Sequence, residues 1–136
     1  MSHTADRYTV ELRISGRDLS PSEITKAMGI QPTHVRHRGG RRSASSTFES
    51  GVWSYAGTDA DEWASLEAGL ASLMEILRSK KALIASYAER FDVCWWCGHF
   101  QQSFDGGPTF SPALLGDLAD FGVAVVLSNY HVRTES

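Results

Sequence analysis

One punctuation pattern occurs twice in this chain and constrains its folding more than any other feature: Leu19-Ser20-Pro21 closing at Gly29, and Phe110-Ser111-Pro112 closing at Gly122. Both copies spell a short helix. A serine at the N-cap accepts from an orphan helix N–H, and proline at the first helical position loses nothing by lacking one. Glycine after the last turn suits the left-handed cap. The apolar residue before each cap, Leu19 or Phe110, is placed to staple onto Ile24 or Leu115, and Glu23 adds a capping box in the first copy only.

Around these helices the hydropathy pattern supplies strands. Tyr8, Val10, Leu12 and Ile14 alternate with Thr9, Glu11 and Arg13, which predicts a strand with one face in a core and the other in water. The polar stretch 31–50 lacks either period and reads as a basic, flexible loop. Gly51 to Gly57 reads as a second strand carrying Trp53 and Tyr55 on one side. Trp63, Leu66, Leu70, Leu73 and Leu77 recur at steps of three and four, predicting a long helix capped by Asp59 or Asp61 and broken at Ser79-Lys80-Lys81. Leu83, Ile84 and Tyr87 suggest a second helical piece. A strand from Phe91 to Phe100, apolar on both faces in its middle, is expected at the centre of a sheet. A Gly106-Gly107-Pro108 turn, the second punctuated helix and a last strand from Val123 to Tyr130 complete the order.

The fold class that follows is α+β. Two βαβ halves joined by a long helical connection give a ferredoxin-like plan, a four-stranded, mostly antiparallel sheet with its helices on one face. A doubly wound α/β sheet is the alternative, and the clean alternation of the first strand argues against it.

At 136 residues, 42% hydrophobic and 21% charged, the chain is long enough for one core, so a single domain over 1–136 is expected, with tails at 1–6 and 134–136. A formal net charge of −3 argues against a general nucleic-acid coat but leaves room for a local basic patch. No segment approaches the roughly 20 apolar residues of a membrane span, and the start has no apolar run behind a basic head, which points to the cytoplasm. Two cysteines separated by two residues do not staple a secreted scaffold.

The residues that open at Tyr8 and continue through Gly16, Asp18-Leu19-Ser20-Pro21, Ile24-Thr25, Met28-Gly29-Ile30, Pro32-Thr33, Trp53 and Leu118-Ala119-Asp120-Phe121-Gly122 resemble the bacterial domain of unknown function 4279 family, over nearly the whole chain. The resemblance implies a small binding protein, an immunity or accessory factor in a bacterial toxin or conflict system, and brings no catalytic set with it. The arginine-rich loop and the Cys-Trp-Trp-Cys strand are features of this chain rather than of that pattern.

Two constellations carry the candidate chemistry. The first is His34, Arg36, His37, Arg38, Arg41 and Arg42 around Gly39-Gly40, with Trp53 just downstream. Guanidinium groups offer a planar fork that fits phosphate or carboxylate, and a glycine pair lets backbone approach an anion. The segment is no P-loop, because the Lys-Ser/Thr ending is missing. A solvated connector is the plain alternative, since loops longer than ~12 residues are either functional or disordered.

The second is Cys94-Trp95-Trp96-Cys97-Gly98-His99. On a strand the two cysteines point to opposite faces, so only Cys97 and His99 share one, and a zinc site would need His131 and a further ligand. Buried structural thiols are the expectation, with Trp95 and Trp96 as core or interface anchors. Asp59, Asp61, Glu62 and Glu67 read as acids favoured at a helix start rather than as a catalytic pair.

The chain therefore reads as a non-enzymatic protein without a cofactor or metal that binds a protein partner, such as a toxin, through the basic loop, with a homodimer also compatible. A nucleic-acid or phosphate-ligand binder using the same arginines is the alternative; a zinc or thiol enzyme using the cysteine strand is a third.

Overall fold

In β1 (Arg7–Gly16) the alternation of the sequence becomes a division between two faces. Val10, Leu12 and Ile14 are buried, while Thr9, Glu11 and Arg13 between them remain partly open. The computed structural model describes residues 6–57, 63–102 and 107–131. The proposed caps Asp59 and Asp61, Gly106 of the expected turn, and the tails at 1–5 and 134–136 lie outside the described residues. Asp6, assigned to the first tail, is held by the fold: its carboxylate meets His99 Nε2 at 2.9 Å and accepts from Gln102 N at 2.7 Å.

The main sheet has five strands in the order β2 (His34–Arg36), β5 (Gly51–Tyr55), β1, β6 (Asp92–Gln101), β7 (Ala124–His131), and a separate two-stranded hairpin joins β3 (Arg41–Ser43) to β4 (Ser46–Thr47). β1 runs antiparallel to both β5 and β6, β2 antiparallel to β5, and β6 parallel to β7. The expected four strands are all present, with β6 between β1 and β7 as its two apolar faces predict. The fifth, β2, corrects the assignment of 31–50 to loop. It offers a single apolar residue, Val35, between exposed His34 and half-buried Arg36, so no alternation marks it.

This strand also corrects the reading that the first punctuated helix joins β1 directly to the Gly51–Tyr55 strand as one βαβ half. β1 and β2 both oppose β5, so they run in the same direction, and α1 (Pro21–Met28) is the crossover between them with β5 inserted in the middle. The second half is a plain βαβ unit in which α4 (Pro112–Phe121) joins the adjacent, parallel β6 and β7. The halves share a crossover helix but not a strand arrangement.

The helices cover one face. Thr25 of α1 meets Trp53 of β5, Gly69 of α2 (Leu66–Leu77) lies against Val10 of β1, and Phe121 of α4 packs edge-on against Trp95 of β6 at 5.6 Å. A 3₁₀ turn over Arg78–Lys80 separates α2 from α3 (Lys81–Ala88), which buries Ile84 and Tyr87 in the same core. Leu66, Leu70, Leu73 and Leu77 are fully buried, as the helical stripe predicts. The long helix starts later than expected, however: Ser65 caps it by accepting from Ala68 N at 3.0 Å, and Trp63 lies before it in a bridge to Tyr8.

Gly29 and Gly122 both stand at φ +69 and close α1 and α4 as anticipated. The caps differ. Ser111 Oγ accepts from Leu114 N at 3.1 Å, whereas the Ser20 hydroxyl meets Ser22 Oγ at 3.3 Å and caps nothing. Leu19 and Ile24 are both in the core, but Leu115 is 52% exposed, and Leu114 takes the buried place instead. No helix among the described residues is long and apolar enough to cross a membrane.

Candidate functional site

The basic segment is an edge. β2 is the outermost strand on one side of the sheet, and the chain turns immediately after it at His37-Arg38-Gly39-Gly40. Gly39 holds φ +84, a conformation side-chain-bearing residues rarely adopt. Its N–H donates to Phe48 O at 2.9 Å, and the Gly40 N–H donates to His37 O at 3.0 Å. The glycine pair thus shapes the turn from which the hairpin grows. Both N–H groups are already donating within the chain, so the pair does not form the anion cradle that its sequence suggests.

The side chains that gather here are mostly open. His34, His37, Arg38, Arg41 and Arg42 are exposed, and Arg36 is half-buried with its guanidinium 4.5 Å over the Phe48 ring. Arg38 Nη1 lies 3.9 Å from Asp18 Oδ1, at the outer limit of an ion pair between exposed groups and worth little. Among the described residues this is the only ion pair that the four arginines make. Two clefts flank the edge: one of about 380 Å³ lined by Pro21, Thr25, Pro32, Val35 and His37, and one of about 320 Å³ lined by His34, Arg36, Arg41 and Phe48. Val35 and His37 line both.

Trp53 does not belong to this surface. It is fully buried, and its Nε1–H donates to Thr25 Oγ1 at 3.0 Å, while the Thr25 hydroxyl donates to Pro21 O at 3.1 Å. The indole ties α1 to the sheet beneath the edge. Phe48, which sequence reasoning passed over, lies on the surface instead. Its signal was faint: a lone aromatic in a polar run with basic residues upstream.

The cysteine strand resolves into two environments. Cys97 is fully buried opposite Val10, and its S–H points to Trp95 O at 3.9 Å; burial, with a smaller contribution from Cys94, pushes the thiol up to about 12. Cys94 lies on the other face beside Arg13, and its pKa is also raised, chiefly by burial. Both cysteines are free, and thiols raised this way are poor nucleophiles at neutral pH. His99 shares the Cys97 face, but its Nε2 is engaged by Asp6 and its ring stacks on Tyr8 at 4.8 Å. Trp95 is core and Trp96 lies half-buried on the opposite face. Glu67, read as part of an acidic helix start, accepts from Ser111 N at 2.6 Å and so steadies the entry to α4.

The family described as Domain of unknown function (DUF4279) matches residues 6–132. No curated protein and no solved structure matches the chain.

Proposed function

The chain belongs to the DUF4279 family, whose description carries no activity, and we propose that it is a non-enzymatic binding protein that docks an acidic protein partner on the β2 edge and its basic hairpin. One observation carries this reading: four arginines and two histidines are gathered on an edge strand and hairpin, with a single loose ion pair among those arginines in the described residues. An extended acidic segment can pair with the backbone of β2, lay its side chains into the two flanking clefts, and meet guanidinium forks on either side. In its most specific form, which follows the family resemblance, the partner is a toxin and this protein its immunity factor.

The test is affinity capture from the source organism, comparing the parent chain with the triple variant Arg38→Ala, Arg41→Ala, Arg42→Ala. An acidic partner is expected on the parent and not on the variant, with the two chains melting at the same temperature. Equal retention of that partner by the variant overturns the assignment. Truncating an arginine anchor at an interface costs over ~2 kcal/mol of binding, about a thirtyfold loss in affinity, whereas an exposed charge contributes within about ±0.5 kcal/mol to folding.

A further inference from the structure

The face of the sheet that the helices leave uncovered has a chemistry of its own. Register places Arg7 of β1, Phe100 of β6 and Tyr130 of β7 in one row across three adjacent strands. The two rings stack at 4.9 Å with their planes 15° apart, and the Arg7 guanidinium lies over Phe100 at 4.9 Å. Further along the same face, Arg13 of β1 lies over Trp96 of β6 at 4.0 Å. At the β2 edge, Arg36 lies over Phe48 at 4.5 Å. Three guanidinium–aromatic stacks thus run from one side of the sheet to the other, on strands about 4.8 Å apart.

Arg7, Arg13, Arg36 and His34 stand on the uncovered face against Glu11, already held by Arg13 at 3.1 Å, and Asp92. The helical layer carries both signs, Glu23, Glu67, Glu75, Asp117 and Asp120 beside Lys26, Arg78, Lys80 and Lys81, with Glu75 held by Arg78 and Asp120 by Lys81. On the uncovered face three arginines thus stand against two acids, beside aromatic rings that are half open. Tyr130, at the end of the longest row, is 43% exposed.

We propose that this uncovered face binds single-stranded nucleic acid, with Arg7, Phe100, Tyr130, Arg13 and Trp96 outside the surface assigned to the protein partner and only His34, Arg36 and Phe48 shared with it. Every base has a flat π face, and aromatic rings and guanidinium planes on an open sheet are the surfaces on which unpaired bases stack. The arginines of each stack also supply fixed positive charge for the phosphates between bases. A duplex hides its base faces in its own stack and fits this surface poorly. An acidic polypeptide satisfies the charge but has no use for the ordered planes.

The experiment is fluorescence anisotropy of the full chain with a labelled single strand of about 15 deoxythymidines, a duplex of equal length, and polyglutamate as competitor. Saturable binding of the single strand is expected, at least about tenfold tighter than of the duplex, with log affinity falling linearly in log salt. Trp96→Leu and Tyr130→Ala are each expected to weaken it about five- to a hundredfold. Tyr130→Ala serves as the check on folding, since an exposed ring can be removed with little effect on the thermal melt. The triple hairpin variant Arg38→Ala, Arg41→Ala, Arg42→Ala is expected to keep single-strand affinity within about threefold, so the two proposals stand or fall separately. No saturable binding, equal affinity for duplex, equally effective competition by polyglutamate per charge, or unchanged affinity in both aromatic variants overturns the inference.

Discussion

Cys97 faces Val10 across the β1–β6 ladder, out of reach of water, and its thiol is pushed up to about 12 chiefly by that burial. An unfolded cysteine ionises near 8.5, so between about pH 9 and 12 the unfolded chain has lost a proton that the folded chain retains. Stability attributable to this site is intact below that window and falls as pH rises through it, by up to about 1.4 kcal/mol per unit. Cys97→Ala cannot ionise and is expected to remove that component of the alkaline slope, which chemical denaturation of both chains at stepped pH measures. An identical slope in parent and variant shows that water reaches the thiol. Trp53 gives the second residue-scale expectation. Its indole N–H has Thr25 Oγ1 as acceptor deep under α1, so Thr25→Val leaves a buried donor unsatisfied and is expected to cost about 1–3 kcal/mol in a urea titration. The sequence shows an aromatic beside a basic loop in both cases, surface or core; only the pairing of Ile14 with Trp53 across the sheet decides that it points inward.

Elements were legible to the extent that each buries its own periodic stripe. β1 and α2 present Val10, Leu12, Ile14 and Leu66, Leu70, Leu73, Leu77 to one core, so period and burial agree. β2 was not legible because three residues on an edge bury too little to impose alternation, and the start of α2 was misplaced because Trp63 keeps the helical spacing while bridging to Tyr8. The candidate site followed the same division: its charged residues were plain from composition, but not that they stand on a strand, since the strand is recognised by its neighbour β5 and not by its own pattern. The two punctuated helices put a price on this distinction between pattern and geometry. Ser111→Ala removes a real cap and is expected to cost about 0.5–2 kcal/mol, while Ser20→Ala, whose hydroxyl meets only Ser22, is expected to cost a few tenths. Equal losses in thermal unfolding would show that Ser20 caps α1 after all.

At the scale of the whole molecule, the core and the candidate site are built from different parts of the chain. Every buried hydrophobic residue of the core lies at or before Met28 or from Val52 onward, with Val35 packed against its margin. The hairpin pairs only with itself, β3 with β4, and its residues 41–47 are all exposed. Replacing residues 41–47 by a two-residue turn therefore removes little buried surface. A shorter loop also changes closure entropy by only about 0.6 kcal/mol per halving. The expected outcome is an unfolding free energy within about 1 kcal/mol of the parent and an unchanged denaturant slope, because that slope follows the surface exposed on unfolding. The same deletion takes away Arg41 and Arg42 and with them much of the proposed protein contact, while leaving Arg7, Phe100, Tyr130, Arg13 and Trp96 in place on the uncovered face. Partner capture should fall and single-strand binding should persist. A loss of several kcal/mol, or a smaller slope, would mean that the hairpin is part of the cooperative core, and its arginines would then be explained by folding rather than by binding.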